Sequence, residues 1–458
     1  MAHAPRLPPA TRAATVPPGN VIEIDGSLLE GGGQILRNAS ALSAILQLPI
    51  RVDKIRAGRS KPGLRPQHLA GLQLIAALSG GTLQGGDIGS SCIGLQPGKL
   101  VCSHQLADTK TAGSCMLLVQ SALPCMLYAA SGAAAAVSPA EAGGGGGGDS
   151  IQPGDSIASP ASRSVEAAQG TVADTSSWSR EAAAATKGLP PSISQLDLRG
   201  GTDAAMAPPA GYVLHVLLPL LRRLLGIYAE LELVRRGFFP KGQGQVVLTV
   251  QPLQPGAHLP AIDMTERGAI TSIAIRAFSA GKIAPAVAQR LAAAAHKEIQ
   301  ANMQRCGLLS AEVPVSLEVV HEPAERAFGD GCGLLVTATS STGCLLGASG
   351  LGERGVPAEA IGQRAGCELM DVVASGACVD GWLQDQLVVF MALAQGRSQL
   401  LTGEPTLHTR TACTVAEALT GARFSIAAQN GSTGLWVLAC DGAGVAAPEV
   451  AQAGASTL

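Results

Sequence analysis

Two glycine- and arginine-bearing stretches near the amino end of this 458-residue chain constrain its fold more than any other feature. The first, residues 24–37, reads IDGSLLEGGGQILR and joins a short apolar strand to an apolar helical segment. Glycines directly before a helix let backbone N–H groups approach an anion without a Cβ in the way. The second stretch, residues 55–69, holds four closely spaced cations: Arg56, Arg59, Lys61 and Arg65. Because guanidinium groups match phosphate oxygens in pairs, the two stretches together predict an anion site suited to phosphate.

Composition limits the classes of protein that fit this chain. Hydrophobic residues make up 47% and charged residues 14%, so an ample core is available. The formal net charge is −2, and any contact with RNA must therefore come from a local basic patch. The 11 cysteines form no Cys-x-x-Cys pair, which favours buried free thiols in a reducing compartment over a structural zinc site. The strongest apolar stretch, residues 212–227, is interrupted by Arg222 and Arg223, so we expect no membrane span.

Two segments differ in character from the rest of the chain. Residues 1–19 carry prolines and arginines without an apolar core, and we predict a disordered tail. Residues 133–190 are of low complexity, with six consecutive glycines at 143–148. Such a segment cannot bury enough apolar surface to offset the entropy of ordering it, so we predict a disordered insertion. The core should tolerate it, because the cost of closing a loop grows only slowly with its length.

Elsewhere, strand-like and helix-like segments alternate, which predicts an α/β arrangement. The predicted helices include Gln34–Leu46, Pro66–Leu78 and Trp382–Ala394, and the predicted strands include Ile50–Ile55, Ala229–Arg235 and Gln245–Val250.

The two amino-terminal stretches, in this order, closely resemble the signature of the RNA 3'-terminal phosphate cyclase family over some forty residues. A second motif, RGFFPKGQGQ at residues 236–245, resembles another glycine-rich motif of that family. Here Gln243 stands where the family has the middle of three glycines. If that position requires a positive φ, Gln243 costs about 1 kcal/mol, which the fold should tolerate.

The resemblance implies an α/β (α+β) fold. Its core is built from repeated units of a four-stranded sheet and two helices, similar to the enolpyruvyl transferases, and carries a smaller inserted α/β domain. On this basis the core spans residues 20–265 and 374–445, the inserted domain spans 266–373, and a tail follows at 446–458. The low-complexity insertion within the core is a departure from the family pattern.

His408 is the candidate nucleophile. It lies in the polar sequence TGEPTLHTRT, residues 402–411, ahead of a helix-like segment at Val415–Leu419. A neutral imidazole can attack phosphorus through one nitrogen while a hydrogen bond at the other fixes its tautomer. The resemblance implies that this histidine becomes adenylylated.

The activity implied by the resemblance is an ATP-dependent ligase reaction that forms a phosphoric ester bond. ATP adenylylates the histidine and releases diphosphate. AMP then passes to an RNA 3'-phosphate, giving RNA-(3')pp(5')A, and the neighbouring 2'-hydroxyl expels AMP to close a 2',3'-cyclic phosphate. Cations must neutralise the phosphate charge, so Mg²⁺ or Mn²⁺ is expected with ATP.

Further positions match the family's pattern. Those assigned to the RNA end and its phosphate are Glu30, Arg37, Arg56, Arg59 and Gln67, with Glu30 also the candidate metal ligand. Those assigned to ATP, besides His408, are Gln120, Pro208, Trp382, Asp385 and Gln386. Trp382 stands where a tyrosine is usual, so stacking on adenine survives while a hydroxyl contact does not.

Two other interpretations are open at this point. One is a noncatalytic relative that acts in ribosome assembly, but such relatives lack the nucleophilic histidine. The other is an enolpyruvyl transferase, which leaves the basic loop at residues 56–68 unexplained. The expected partners are ATP and RNA with a 3'-phosphate end, and a homodimer is an open option. Eukaryotic members of the family imply the nucleus (nucleoplasm) as the location, with organelle targeting by the amino-terminal tail left open.

Overall fold

The computed structural model describes residues 21–130, 193–308, 313–429, 431 and 434–449. The predicted amino-terminal tail, the predicted insertion at 133–190 and residues 450–458 lie outside these described residues.

The first unit of the fold is a four-stranded sheet with two helices. Its elements are β1 (Ile22–Asp25), α1 (Gly33–Leu46), β2 (Ile50–Asp53), α2 (Pro66–Ser79), β3 (Thr82–Gln84) and β4 (Ile93–Gln96). The strand order is β1-β2-β4-β3, with β1 parallel to β2 and the other pairs antiparallel. Pro49 cannot continue a helix, so the chain turns from α1 directly into β2.

The second unit repeats this arrangement. Its elements are β5 (His104–Asp108), α3 (Cys115–Leu127), β6 (Ser194–Gly200), α4 (Leu218–Leu225), β7 (Ala229–Gly237) and β8 (Gly244–Val250). Helix α4 extends a helical segment that begins at Ala210 and passes through a π-helical stretch at Val213–Leu217. The order β5-β6-β8-β7 and the strand directions match those of the first unit.

A separate sheet follows β9 (Asp263–Met264). Its elements and a short neighbouring strand are β10 (Ile270–Ala280), α5 (Pro285–Met303), β11 (Val315–Glu322), β12 (Ala327–Phe328), β13 (Gly331–Ser340), β14 (Leu345–Leu351) and α6 (Ala358–Ser375). The sheet order is β11-β10-β13-β14, whereas β12 joins the edge of the second unit beside β7. Helices α5 and α6 pack against each other and enclose a second hydrophobic core with this sheet.

The third unit completes the chain. Its remaining elements are α7 (Leu383–Gln386), α8 (Val388–Leu393), β15 (Arg397–Thr402), α9 (Leu407–Thr420), β16 (Arg423–Ala428) and β17 (Trp436–Asp441). Its order is β9-β15-β17-β16, with β9 parallel to β15 and the other pairs antiparallel. All three units therefore share one topology, and the predicted α/β (α+β) class is confirmed.

The helices of different units pack on one another, so the first and third units are in direct contact. Helix α1 contacts α2 in its own unit, α3 in the second unit and α9 in the third, within one large core. Among the described helices, none combines the length and the apolar character that crossing a membrane requires.

Two predicted elements differ from the structure. Helix α9 begins at Leu407, before the predicted segment at Val415–Leu419, because Thr406 caps it by accepting a hydrogen bond from the backbone N–H of Thr409. The predicted helix Trp382–Ala394 is two short helices, α7 and α8, that meet at Leu387.

Candidate active site

The start of α9 holds His408 in a defined position. His408 lies in the first turn, and its side chain is half exposed. The buried Gln384 side chain accepts hydrogen bonds from the Thr406 backbone N–H at 3.1 Å and from the Thr409 hydroxyl at 3.0 Å. Gln384 therefore fixes the cap that sets the direction of the helix, and with it the position of the imidazole.

Glu30 faces His408 from the loop before α1. The Nδ1 atom of His408 lies 3.3 Å from Oε2 of Glu30, and the other carboxylate oxygen accepts a hydrogen bond from Arg59 at 2.5 Å. The contact with Glu30 raises the pKa of His408 above its ordinary value. Burial acts to raise the pKa of Glu30, but His408, Arg59 and Arg37 outweigh it and the pKa is lowered. The Nε2 atom of His408 makes no hydrogen bond within the described part of the chain.

The glycine cluster makes room for these side chains. A Cβ on Gly32 would lie 2.1 Å from Oε1 of Glu30, so only glycine lets the carboxylate fold back here. A Cβ on Gly33 would lie 2.7 Å from Nε2 of His68 and 2.8 Å from a terminal nitrogen of Arg37. The first stretch is glycine-rich because the site's own side chains converge on it, a reason that the sequence analysis did not include.

Arg37 links the residues assigned to the RNA end with those assigned to ATP. Its guanidinium donates to the amide oxygens of Gln120 at 2.9 Å and Gln34 at 2.5 Å. Burial lowers the pKa of Arg37, while the charges of Asp385 and Glu30 act against it. Burial also raises the pKa of Asp385 to about 6, with Arg37 and His408 opposing. Arg37 and Asp385 therefore influence each other's pKa through their charges, and both also influence the pKa of His408.

The arginines of the second stretch, residues 55–69, make different contacts. Arg56 donates to the backbone carbonyls of Lys61 at 2.7 Å and Gly63 at 3.2 Å, so its side chain braces its own loop. Arg59 alone reaches Glu30. Gln67 accepts a hydrogen bond from the backbone N–H of Ser114 at 3.0 Å. Of the five residues assigned to the RNA end, the structure therefore gathers Glu30, Arg37 and Arg59 around His408.

His68 is a residue of this site that the sequence analysis did not single out. Its Nδ1 accepts a hydrogen bond from the Arg65 backbone N–H at 3.3 Å, and its Nε2 points towards Gly33. Burial, then the charges of Arg37 and Arg56, lower the pKa of His68 to about 4. The imidazole is therefore neutral at pH 7. Its place two residues after Pro66, at the start of α2, was the available signal.

A cavity of about 290 Å³ lies between the second unit and the β10–β14 sheet. Its wall includes Met206, Pro209, Arg236, Leu335 and Trp382. Pro208 is buried and does not line the cavity, whereas its neighbour Pro209 does. The Gln386 side chain instead donates to the Trp382 backbone carbonyl at 3.1 Å. Trp382 thus lies at the cavity, and α7 runs from it towards Asp385 and His408.

Asp380 anchors this end of α7. Its buried carboxylate accepts four hydrogen bonds, from the Tyr212 hydroxyl at 2.6 Å and from the backbone N–H groups of Gly347 at 2.7 Å, Trp382 at 2.9 Å and Leu383 at 3.0 Å. Burial raises its pKa to about 6 in spite of these donors. One carboxylate therefore joins the second unit, the β10–β14 sheet and α7.

A metal ion has one credible protein ligand in this site. Across the described residues, no three His, Cys, Asp or Glu side chains converge as a metal cluster. The Glu30 carboxylate is 11% exposed and already meets Arg59 and His408. Mg²⁺ commonly uses one or two carboxylates together with substrate phosphates and water, so Glu30 fits as a ligand only when phosphates supply others.

Comparison with known proteins identifies the family of this chain. The family model described as RNA 3'-terminal phosphate cyclase matches residues 28–138 and 181–426, which include Glu30, Trp382 and His408. The RNA 3'-terminal phosphate cyclase of Drosophila melanogaster is 34% identical over 426 residues, covering 93% of this chain and 97% of that protein. The protein of the same name from Pyrobaculum aerophilum is 33% identical over 404 residues, covering 88% and 94% respectively.

The chain therefore belongs to the RNA 3'-terminal phosphate cyclase family, as its amino-terminal stretches predicted.

Proposed function

We propose that this chain is an ATP-dependent RNA 3'-terminal phosphate cyclase that works through a covalent His408–AMP. The observation that carries the proposal is the half-exposed imidazole whose Nδ1 faces Glu30 and whose Nε2 has no partner among the described residues. A proton on Nδ1, facing the Glu30 carboxylate, leaves the lone pair on Nε2, which is the arrangement a nucleophile needs. The names of the relatives support the same reaction.

In the first step, Nε2 attacks the α-phosphorus of ATP. The N–P bond forms, the bond to the bridging oxygen breaks, and diphosphate leaves. Positive charge develops on the imidazole during attack, and the Glu30 carboxylate stabilises it through Nδ1. Arg37 and Arg59 lie close enough to Glu30 to influence its pKa, so they are well placed to offset the charge of incoming phosphates.

In the second step, an oxygen of the RNA 3'-phosphate attacks the same phosphorus and the N–P bond breaks, which regenerates His408. In the third, the terminal 2'-hydroxyl attacks the 3'-phosphate, AMP leaves, and the 2',3'-cyclic phosphate forms. Bound Mg²⁺ or Mn²⁺ would neutralise phosphate charge, with Glu30 as its protein ligand. Arg37, held by Gln34 and Gln120, serves as a fixed cation throughout.

The direct test is cyclisation of a short RNA with a 3'-phosphate. We expect the purified protein, with ATP and Mg²⁺, to make this end resistant to phosphatase and to release one AMP and one diphosphate per RNA. Omitting ATP should leave the end sensitive. A folded protein that leaves the end phosphatase-sensitive in the presence of ATP and either metal would refute the proposal.

We further propose that the adenine of ATP enters the cavity beside Trp382. The cavity volume suits a nucleobase, and α7 connects its wall to the neighbourhood of His408. The base then stacks on the indole while the phosphates extend along α7 towards the imidazole.

Trp382→Ala should raise the KM for ATP about tenfold, because stacking of a base on an aromatic side chain contributes roughly 1–3 kcal/mol. Trp382→Tyr keeps an aromatic face and should stay close to wild type. The measurement is the rate of adenylylation as a function of ATP concentration. An unchanged KM in the alanine variant would place the adenine elsewhere.

Glu30 should also set the pH dependence of adenylylation. Protonated His408 cannot attack, so the rate falls as the pH drops below the pKa of His408, which Glu30 raises above 6.5. Glu30→Gln removes the carboxylate charge, so we expect the acid inflection to move to lower pH even though the maximum rate also falls. Glu404→Gln, which changes an exposed carboxylate in the loop just before α9, is the matched control and should leave the inflection in place. An inflection that does not move in Glu30→Gln would contradict the assigned role.

A further inference from the structure

The hairpin tip, residues 238–243 between β7 and β8, presents one aromatic side chain to solvent. Phe238 is buried and stacks on Phe278, with ring centroids 6.0 Å apart, whereas the next residue, Phe239, is 85% exposed. Both residues belong to the RGFFPKGQGQ motif, whose first residue, Arg236, lines the cavity proposed for adenine, whereas Phe239 has no role in the proposed reaction. Phe238 therefore packs the tip against the rest of the fold, whereas the Phe239 side chain is largely exposed to solvent.

The tip is held by its backbone. Gly237 and Gly244 lie so close that a Cβ on Gly237 would be 2.0 Å from the Gly244 nitrogen. Gln243 adopts a positive φ of 56°, the conformation that the sequence analysis considered for this position. Arg235 donates to the Gln243 carbonyl at 3.1 Å. Phe239 is therefore displayed on a structured support.

The tip also lies next to the loop that leads to the proposed RNA-end residues. A Cβ on Gly242 would be 2.3 Å from the Thr111 carbonyl oxygen, so the hairpin and this loop are in close contact. Two residues further on, Gly113 packs against the Gln67 side chain, which also binds the Ser114 backbone N–H. The hairpin tip therefore contacts the loop at residues 111–113, and that loop in turn contacts Gln67.

Exposed cations without an ion-pair partner lie near the residues that make these contacts. Lys61, Arg65 and Lys241 are exposed, and no carboxylate among the described residues forms an ion pair with any of them. Lys110, beside Thr111, is exposed although it pairs with Asp108. In a chain whose net charge is −2, these exposed cations neighbour the contacting residues in sequence: Lys110 precedes Thr111, Lys241 precedes Gly242, and Lys61 and Arg65 precede Gln67. A basic surface beside an aromatic platform is complementary to single-stranded nucleic acid.

We propose that Phe239 stacks on an unpaired base of the substrate RNA upstream of its terminal phosphate, with Lys241 facing the RNA backbone. This inference rests on the proposed function for the identity of the RNA, and it adds a second point of attachment to that site. Stacking needs a base that is free of its own helix, so the surface selects RNA with a single-stranded 3' end. It is insensitive to sequence, because every base offers a π face.

The test compares the Kd of a fluorescent single-stranded 12-mer with a 3'-phosphate for wild type and Phe239→Ala. We expect about tenfold weaker binding in Phe239→Ala and near-normal binding in Phe239→Trp. Adenylylation by ATP alone should not change, because the residue takes no part in that step. Lys241→Ala should reduce the steepness with which binding weakens as salt is raised.

Tyr228→Ala is the matched control. Tyr228 is also an exposed aromatic residue, 45% accessible, but it precedes β7 at the end of that strand opposite to Phe239. The Tyr228→Ala variant should bind the 12-mer with the same Kd as the wild type. Equal affinity of wild type and Phe239→Ala, equal losses in both alanine variants, or no binding by wild type would each overturn the inference. RNA binding and labelling by ATP are separate measurements. If the wild type takes up no label from ATP, the proposed function is refuted, whatever the result of the binding test.

Discussion

His408→Ala should take up no label from ATP labelled at the α-phosphate, whereas the wild type should become labelled in the presence of Mg²⁺. We expect a loss of at least ~10³-fold, because no other described imidazole pairs with a carboxylate in this way and the nucleophile carries the whole first step. The fold should be unaffected. The cap of α9 depends on Thr406 and Gln384, and the His408 side chain is half exposed.

The measurement is a denaturing gel followed by treatment of the labelled band. A phosphoramidate is acid-labile and alkali-stable, so this pattern on wild type identifies a histidine–AMP. His104→Ala, an exposed histidine in β5, is the control and should label normally. Label retained in His408→Ala would disprove the assignment of the nucleophile. A folded wild type without label would favour the noncatalytic relative that acts in ribosome assembly.

Asp380→Ala should cause the largest loss of stability among the residues around the cavity. Truncation leaves the Tyr212 hydroxyl, two buried backbone N–H groups and one partly buried backbone N–H group without their acceptor. We expect the free energy of unfolding to fall by roughly 3–5 kcal/mol, since removal of one partner exposes the full cost of the buried groups that remain. Chemical denaturation followed by circular dichroism measures the change.

Two companion variants separate this role from a general effect of charge removal. Tyr212→Phe deletes a single donor and should lower the free energy of unfolding by about 1–2 kcal/mol. Asp441→Ala breaks an exposed pair with Arg397 and should change it by less than about 1 kcal/mol. A loss in Asp380→Ala no larger than that in Asp441→Ala would show that the four hydrogen bonds do not stabilise the fold.

Local signals in the sequence predicted much of the fold. Helix α2 was predicted at Pro66–Leu78 and spans Pro66–Ser79, because a proline in the first turn and a Gly80 in the left-handed conformation mark its ends. Strand β8 was predicted at Gln245–Val250 from its run of β-branched residues and begins one residue earlier. Such elements depend on residues within a short window, which is what sequence patterns report.

Local sequence patterns did not predict contacts between residues that are far apart in the chain. The two-residue strand β9 exists only because it pairs with β15, which lies beyond the whole β10–β14 sheet. Gln384 and Asp380 owe their roles to partners on other elements, so no local pattern marked those roles. In the site, family resemblance supplied Glu30 and His408, but only the structure gives the 3.3 Å separation between Nδ1 of His408 and the Glu30 carboxylate.

The distribution of the site along the chain has a consequence for its biosynthesis. The backbone N–H of Glu30 reaches the Thr411 hydroxyl across 381 positions of sequence, and α1 packs on α9. A ribosome releases the first unit, with its basic loop, long before it has translated His408. A nascent chain can thus expose cations to RNA while chemically inert. The contact between Glu30 and His408 forms only when the third unit docks, so under the proposed function incomplete translation products should consume no ATP.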